Sequence, residues 1–379
     1  MEQLLLGLGL SELAARIFIS VYAGFLVMLI FVTIGGILTW VERRVSGFMQ
    51  SRLGPNRVGP QGFFQWIADG IKLVLKEDLI PNGADRVLFR LAPYFAIIGV
   101  FCTLVVLPWG NELIVADLNV GLFYFISITS FVVIGVLMAG WGSNNKWSLL
   151  GGMRSAAQIV SYEIPVGFGL LVPILIAGTL SMSGVLKVQG WLPWDWMLFN
   201  SPFTVMSFFI FFIGSLAEAN RIPFDLPEAE SELVSGYCTE YSGFRYAVFF
   251  LSEWANLFVM GAFISVLYLG GGNLPQFLQG SPLLSLAVFS LKTLVIVFVI
   301  IWIRWTLPRF RIDQLMKLSW KYLLPAAFVA FFGQALYMLL IWQHQTVQRI
   351  VAGALFVIFL MVMLKFIKRV SVNMKEQAF

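Results

Sequence analysis

Charge is scarce in this chain. Only 12% of its 379 residues are Asp, Glu, Lys or Arg and 59% are hydrophobic, whereas a soluble domain carries roughly 25% charged residues. That excludes an ordinary soluble enzyme. Histidine occurs once, at His344, so no histidine pair exists to ligate a haem or a metal ion. The two cysteines, Cys102 and Cys238, lie far apart, which excludes a disulfide framework and an iron–sulfur or zinc set. No glycine-rich phosphate loop occurs, so no nucleotide site is expected. No internal repeat is visible, which argues against a stand-alone transporter built from inverted repeats around a midplane site. The first eleven residues lack a basic stretch and a cleavage site, so no cleavable signal is expected.

What the chain does have is apolar runs of bilayer-crossing length. They predict nine spans, at about 17–40, 91–107, 120–141, 156–179, 197–217, 246–270, 283–303, 322–342 and 350–367. The short alternating segments of a β-barrel are missing. The expected fold is therefore an all-α polytopic membrane protein, with residues 1–379 as a single integral membrane domain. Lys and Arg set the orientation. The segments 41–90, 142–155, 218–245 and 304–321 hold eight, two, two and five of the 25, and the C-terminal tail holds four. The opposite side holds only Arg16, Lys187 and Arg349, while Lys292 falls inside the seventh span. The N-terminus is thus expected outside and the C-terminus on the cytoplasmic side.

One cytoplasmic segment is anomalous. "FDLPEAESELVSGYCTEYSG" (224–243) carries Asp225, Glu228, Glu230, Glu232 and Glu240 and no Lys or Arg, in a protein of net charge +5. Glu218 precedes it. Glu163 lies in the fourth span and Glu253 in the sixth. A charge at mid-bilayer costs about 2.5–3.5 kcal/mol on insertion scales. Each acid alone reads equally as a protonated carboxyl bonded between helices, and the loop as a plain solvated one. As a set they read as a proton relay, because closely spaced carboxylates share protons rather than all ionise. Pro165, two residues past Glu163, removes a backbone donor and predicts a kink.

The first basic segment contains two Gly-Pro steps, Gly54-Pro55 and Gly59-Pro60, which mark turning backbone. A helix is expected from about Gly62. Gln65, Asp69, Lys72 and Lys76 form a polar stripe, and Phe63, Ile67, Ile71 and Val74 an apolar one, so it is read as an amphipathic helix on the membrane surface. It reads either as an anchor or as the wall of a pocket for a lipid-like molecule with a polar head. The nearby Glu42, Arg43, Arg44, Arg52 and Arg57 favour the pocket. Arg309 and Arg311 read either as topological charge or as part of that wall.

Four stretches carry a family resemblance: "ERRVSGFMQSRLGPNRVGPQG…ADGIKLVLKED", "SNNKWSLLGGMRSAAQIVSYEIP", "AEANRIPFDLPEAESELVSGYCTEYSG" and "LPRFRIDQLMKLSWK". Together they resemble the quinone-site membrane subunit of respiratory complex I, the proton-pumping NADH:quinone oxidoreductase (the subunit designated H in bacteria and 1 in mitochondria). The resemblance runs from the first span through the eighth. That family has about eight spans, so the ninth is an addition. The resemblance implies a quinone substrate, ubiquinone or menaquinone, and no metal or nucleotide bound by this chain. It implies a quinone chamber walled by Glu42, Arg43, Arg52, Asp69, Arg309 and Arg311. It implies a proton relay through Glu163, Glu218, Asp225, Glu228, Glu230, Glu232, Glu240 and Glu253. It implies peripheral-arm iron–sulfur and quinone-site subunits and neighbouring membrane-arm subunits as partners, with no nucleic acid, in a bacterial plasma membrane. A ferredoxin-linked or hydrogenase-type anchor, which shares this ancestry, and a stand-alone transporter are the other readings.

Overall fold

The computed structural model describes residues 11–111, 113–227, 229–278, 280–340 and 345–376. Among them every regular element is helical. Seven helices are long and apolar enough to cross a membrane, and Pro202–Glu218 and Val347–Met361 are shorter apolar stretches. The chain is a multi-pass α-helical membrane protein, as its hydropathy predicts.

Helix α1 (Glu12–Met49) starts at an N-cap, where the Ser11 hydroxyl accepts from the Ala14 N–H. Its 38 residues reach about 57 Å at 1.5 Å per residue, well beyond a hydrocarbon core of roughly 30 Å. Glu42 and Arg43 therefore stand on its last turns, not in a loop. Helix α2 (Gln65–Leu75) is the expected surface helix. It begins three residues later than Gly62 because 60–62 form a tight turn with Gln61 at φ 54°. Gly62 is required there: a Cβ would lie 2.4 Å from the Pro55 carbonyl carbon.

Helices α3 (Arg86–Val106), α4 (Gly121–Gly142) and α5 (Lys146–Ala177) follow. α5 starts ten residues before the predicted span. The Asn145 side chain accepts from the Trp147 N–H and caps it, so the connection to α4 is only 143–145. α6 (Pro202–Glu218) opens with a capping box at Ser201 and a proline in its first turn. Its predicted start at 197 falls instead on a short 3-10 turn, Met197–Phe199.

Helix α7 (Gly243–Tyr268) is the core of the bundle. Every residue from Trp254 to Tyr268 is buried, as expected of a helix apolar on all sides. α8 (Pro282–Thr306) leads to the eighth span, which is α9 (Ile312–Lys317), a π turn (Leu318–Leu323) and α10 (Leu324–Leu340) run together. That span also starts ten residues early, so only 307–311 is loop. α11 (Gln345–Glu376) contains the predicted ninth span. Its Phe356 and Phe359 pack edge-on against Phe199.

The four basic segments converge on one end of the bundle. The Asp85 N–H donates to the Gly142 carbonyl and Phe310 N–H to the Pro223 carbonyl. Ser242 Oγ donates to the Glu77 carbonyl at 3.1 Å.

Candidate functional site

At that end the last turns of α1 and α8 meet the turn after α6 and the middle of α7. Glu42 on α1 is only 5% exposed. Arg304, in the last turn of α8, donates from Nη1 to its Oε1 at 2.5 Å. Arg221 follows α6 through Asn220, which has φ 48°. Buried Gln158 of α5 holds that turn, donating to Ala217 O at 2.8 Å, Asn220 Oδ1 at 3.2 Å and Phe224 O at 2.7 Å. Arg221 is itself 2% exposed. Its Nη1 lies 3.2 Å from Glu253 Oε1, and its guanidinium stacks 4.1 Å above the Trp254 ring. Arg304 approaches the same indole at 6.0 Å. Beside them Arg309 Nη2 donates to Asp225 Oδ2 at 3.1 Å. Three arginines and three carboxylates thus form one network, with Glu42 and Arg221 buried and the other four half-buried. Burial pushes the Asp225 carboxyl up to about 6, outweighing the attraction of Arg309.

The line of acids continues from Glu253 to Glu218. Glu253 and Glu218 line one cavity of about 20 Å³, together with Asn220, Tyr237, Ser252 and Asn256. A second, of about 10 Å³, joins Glu218 to Thr129 and Asn256. The first is about the size of one water molecule's probe sphere, with polar partners to hold it. Glu163 is within electrostatic range of Glu218 and accepts from Ser130 Oγ at 2.9 Å. The line therefore runs Glu42, Glu253, Glu218, Glu163, with Asp225 at its side.

Other predicted residues stand apart. Glu232 pairs with Arg154 at 2.6 Å with its side chain half exposed. Glu240 accepts from Asn145 Nδ2 at 2.6 Å. Glu230 begins the short helix Glu230–Leu233, and Glu228 lies outside the described residues. Arg311 is exposed before α9, and Arg52 donates to Gln50 Oε1 at 2.6 Å in an exposed turn.

Asp69 on α2 accepts from Arg43 Nη1 at 2.5 Å and from Gln65 Nε2 at 3.0 Å. It sits in an apolar groove of about 260 Å³ between α1 (Gly36, Thr39), α2 (Trp66, Leu73) and α7 (Phe250, Leu251). Thr39 is three residues before Glu42, one turn up the same helix, so groove and network adjoin. A cleft of about 730 Å³ at the opposite end is larger, but Lys187 is the one charged residue among its described lining. Among the described residues no three His, Cys, Asp or Glu side chains converge on a metal-sized site.

Sequence reasoning overlooks Arg221, Arg304 and Trp254. Both arginines read from composition alone as topological charge. Arg304 follows "IIWI" in an apolar run and Arg221 sits between Glu218 and Asp225; a cation in either setting marks a buried partner.

A multi-helix bundle with an apolar groove beside a run of buried and half-buried carboxylates defines a polytopic membrane protein with titratable groups in its interior. Comparison with known proteins supplies the family: the profile described as NADH dehydrogenase matches residues 22–335. The NADH-quinone oxidoreductase subunit designated H from Anaeromyxobacter dehalogenans is 53% identical over 342 residues, covering 86% of this chain and 83% of that one. The protein of the same name from Chlorobium luteolum is 47% identical over 348 residues, 88% of this chain and 90% of its own. That from Bacillus mycoides is 49% identical over 321 residues, 83% of this chain and 93% of its own. The chain belongs to the NADH dehydrogenase family, in agreement with the resemblance carried by its loops.

Proposed function

We propose that this chain is the quinone-site membrane subunit of a proton-pumping NADH:quinone oxidoreductase in a bacterial plasma membrane, with its N-terminus outside. Iron–sulfur and quinone-site subunits dock on its basic end and deliver electrons. A ubiquinone or menaquinone enters through the groove between α1, α2 and α7. The apolar wall suits the isoprenoid tail. The Arg43–Asp69 pair lies where the polar headgroup leaves it, and the Trp66 Nε1 donor, buried and without a hydrogen-bond partner, belongs to the same wall.

Quinone reduction takes up two electrons and two protons. The electrons arrive first as negative charge beside Glu42. Neighbouring carboxylates respond by holding protons more tightly, and the change passes to Glu253, Glu218 and Glu163. The observation that carries this reading is the succession of buried and half-buried acids from the groove to the fourth span. Glu218→Gln in the assembled complex tests it. The expected result is electron transfer retained in part with proton pumping lost; unchanged pumping per electron would overturn the relay.

A further inference from the structure

Glu163 follows two residues that the eighth span grips. In an α-helix the carbonyl of Ser161 would accept from the N–H of residue 165, but Pro165 has none. Ser161 is 5% exposed, so water is a poor substitute, and an unpaired buried carbonyl is costly. The missing donor comes from elsewhere: Ser319 Oγ, on a residue 1% exposed, donates to Ser161 O at 2.5 Å. Ser319 lies in the π turn Leu318–Leu323, a wide turn that is rare and concentrated at functional sites. Tyr162, fully buried, adds a second tie, its hydroxyl donating to Leu315 O at 3.0 Å.

We infer that Ser319 is a positioning residue for Glu163: its hydroxyl replaces the N–H that Pro165 deletes and fixes the turn of α5 that carries the carboxylate. The proline opens a socket in α5, and the π turn presents the peg. The same span begins just after Arg309, whose ion pair with Asp225 belongs to the network. The eighth span thus holds the turn of α5 that carries Glu163, and the loop just before it holds Asp225 beside the line of acids. This rests on the relay reading of Glu163.

The test uses the whole complex in proteoliposomes, reading electron transfer and protons pumped per electron together, with subunit content checked. Ser319→Ala leaves the Ser161 carbonyl buried and unpaired, and with the turn that carries Glu163 loosened it is expected to lower protons per electron by about threefold or more. Ser319→Thr keeps the hydroxyl and should restore the ratio. Pro165→Ala supplies an intrahelical N–H to Ser161 O, so in its background Ser319→Ala should have little effect. A structural packing role for Ser319 would not be relieved by a change at Pro165. If Ser319→Ala prevents assembly, recovery by Pro165→Ala supports the inference and continued failure overturns it. A normal ratio in Ser319→Ala, beside a pumping defect in Glu163→Gln, overturns the positioning role alone. Normal pumping in Glu163→Gln overturns the relay and this inference with it.

Discussion

Trp254 shares its indole between two arginines that bind different carboxylates, Arg221 with Glu253 and Arg304 with Glu42. Removing one member of a buried pair costs about 3–5 kcal/mol, because the other charge stays in low dielectric. Arg304→Ala is therefore expected to lower the unfolding temperature of the purified complex. Combining Arg304→Met with Glu42→Gln removes both charges and should recover most of that stability while leaving coupled pumping impaired. Asp225 offers a pH handle. Its carboxyl is raised from the usual 3.8 to about 6 by burial, so it is neutral below that pH and ionised above it. Its favourable contribution to stability is full below about pH 4 and is lost as pH rises through 6. A step near pH 6 in the quinone reduction rate is expected, and Asp225→Asn should flatten it. Glu163 and Glu253 are legible in the sequence because a carboxylate interrupts an apolar run. Arg304 is not, since an arginine at a span's end is also what topology demands.

The groove depends on close approach between elements. Gly36 of α1 faces α2 so tightly that a Cβ would come within 2.3 Å of the Trp66 ring. Gly36→Val must displace the Trp66 ring and so reshape the wall. The expected outcome is a several-fold higher KM for long-tailed quinones with a smaller change for short-tailed analogues, a contrast that steady-state kinetics with both would show. The existence of the helices is readable from hydropathy, but two starts are misplaced by ten residues each. α5 and α9 begin among charged residues such as Lys146, Arg154, Asp313 and Lys317, where hydropathy falls while the backbone stays helical. The Asn145 cap could have located the first of these. Nothing local marks the π turn, whose Ser319 bonds to α5.

Across the whole molecule the family match ends at residue 335, before α11 begins. α11 touches the bundle through aromatic contacts with Trp194 and Phe199, at the end away from the network. Removing residues 345–379 is expected to leave assembly and pumping largely intact, checked by the subunit content and proton-to-electron ratio of the truncated complex. The multi-span character of the chain is readable because it depends on summed composition. Which acids join is not, because Glu232 and Glu240 share a loop with Asp225 and yet fold away onto Arg154 and Asn145.

With Arg221, Arg304 and Arg309 set against Glu42, Asp225 and Glu253, the network is close to electrically balanced when all six are ionised. On the proposed function, a quinone arrives neutral and leaves neutral as quinol. Neither endpoint perturbs such a balance. Only the interval between the arrival of electrons and the arrival of protons does so. The network then acts as a clock for that interval, and the longer protonation lags behind reduction, the longer the carboxylates beyond it are held in their altered state.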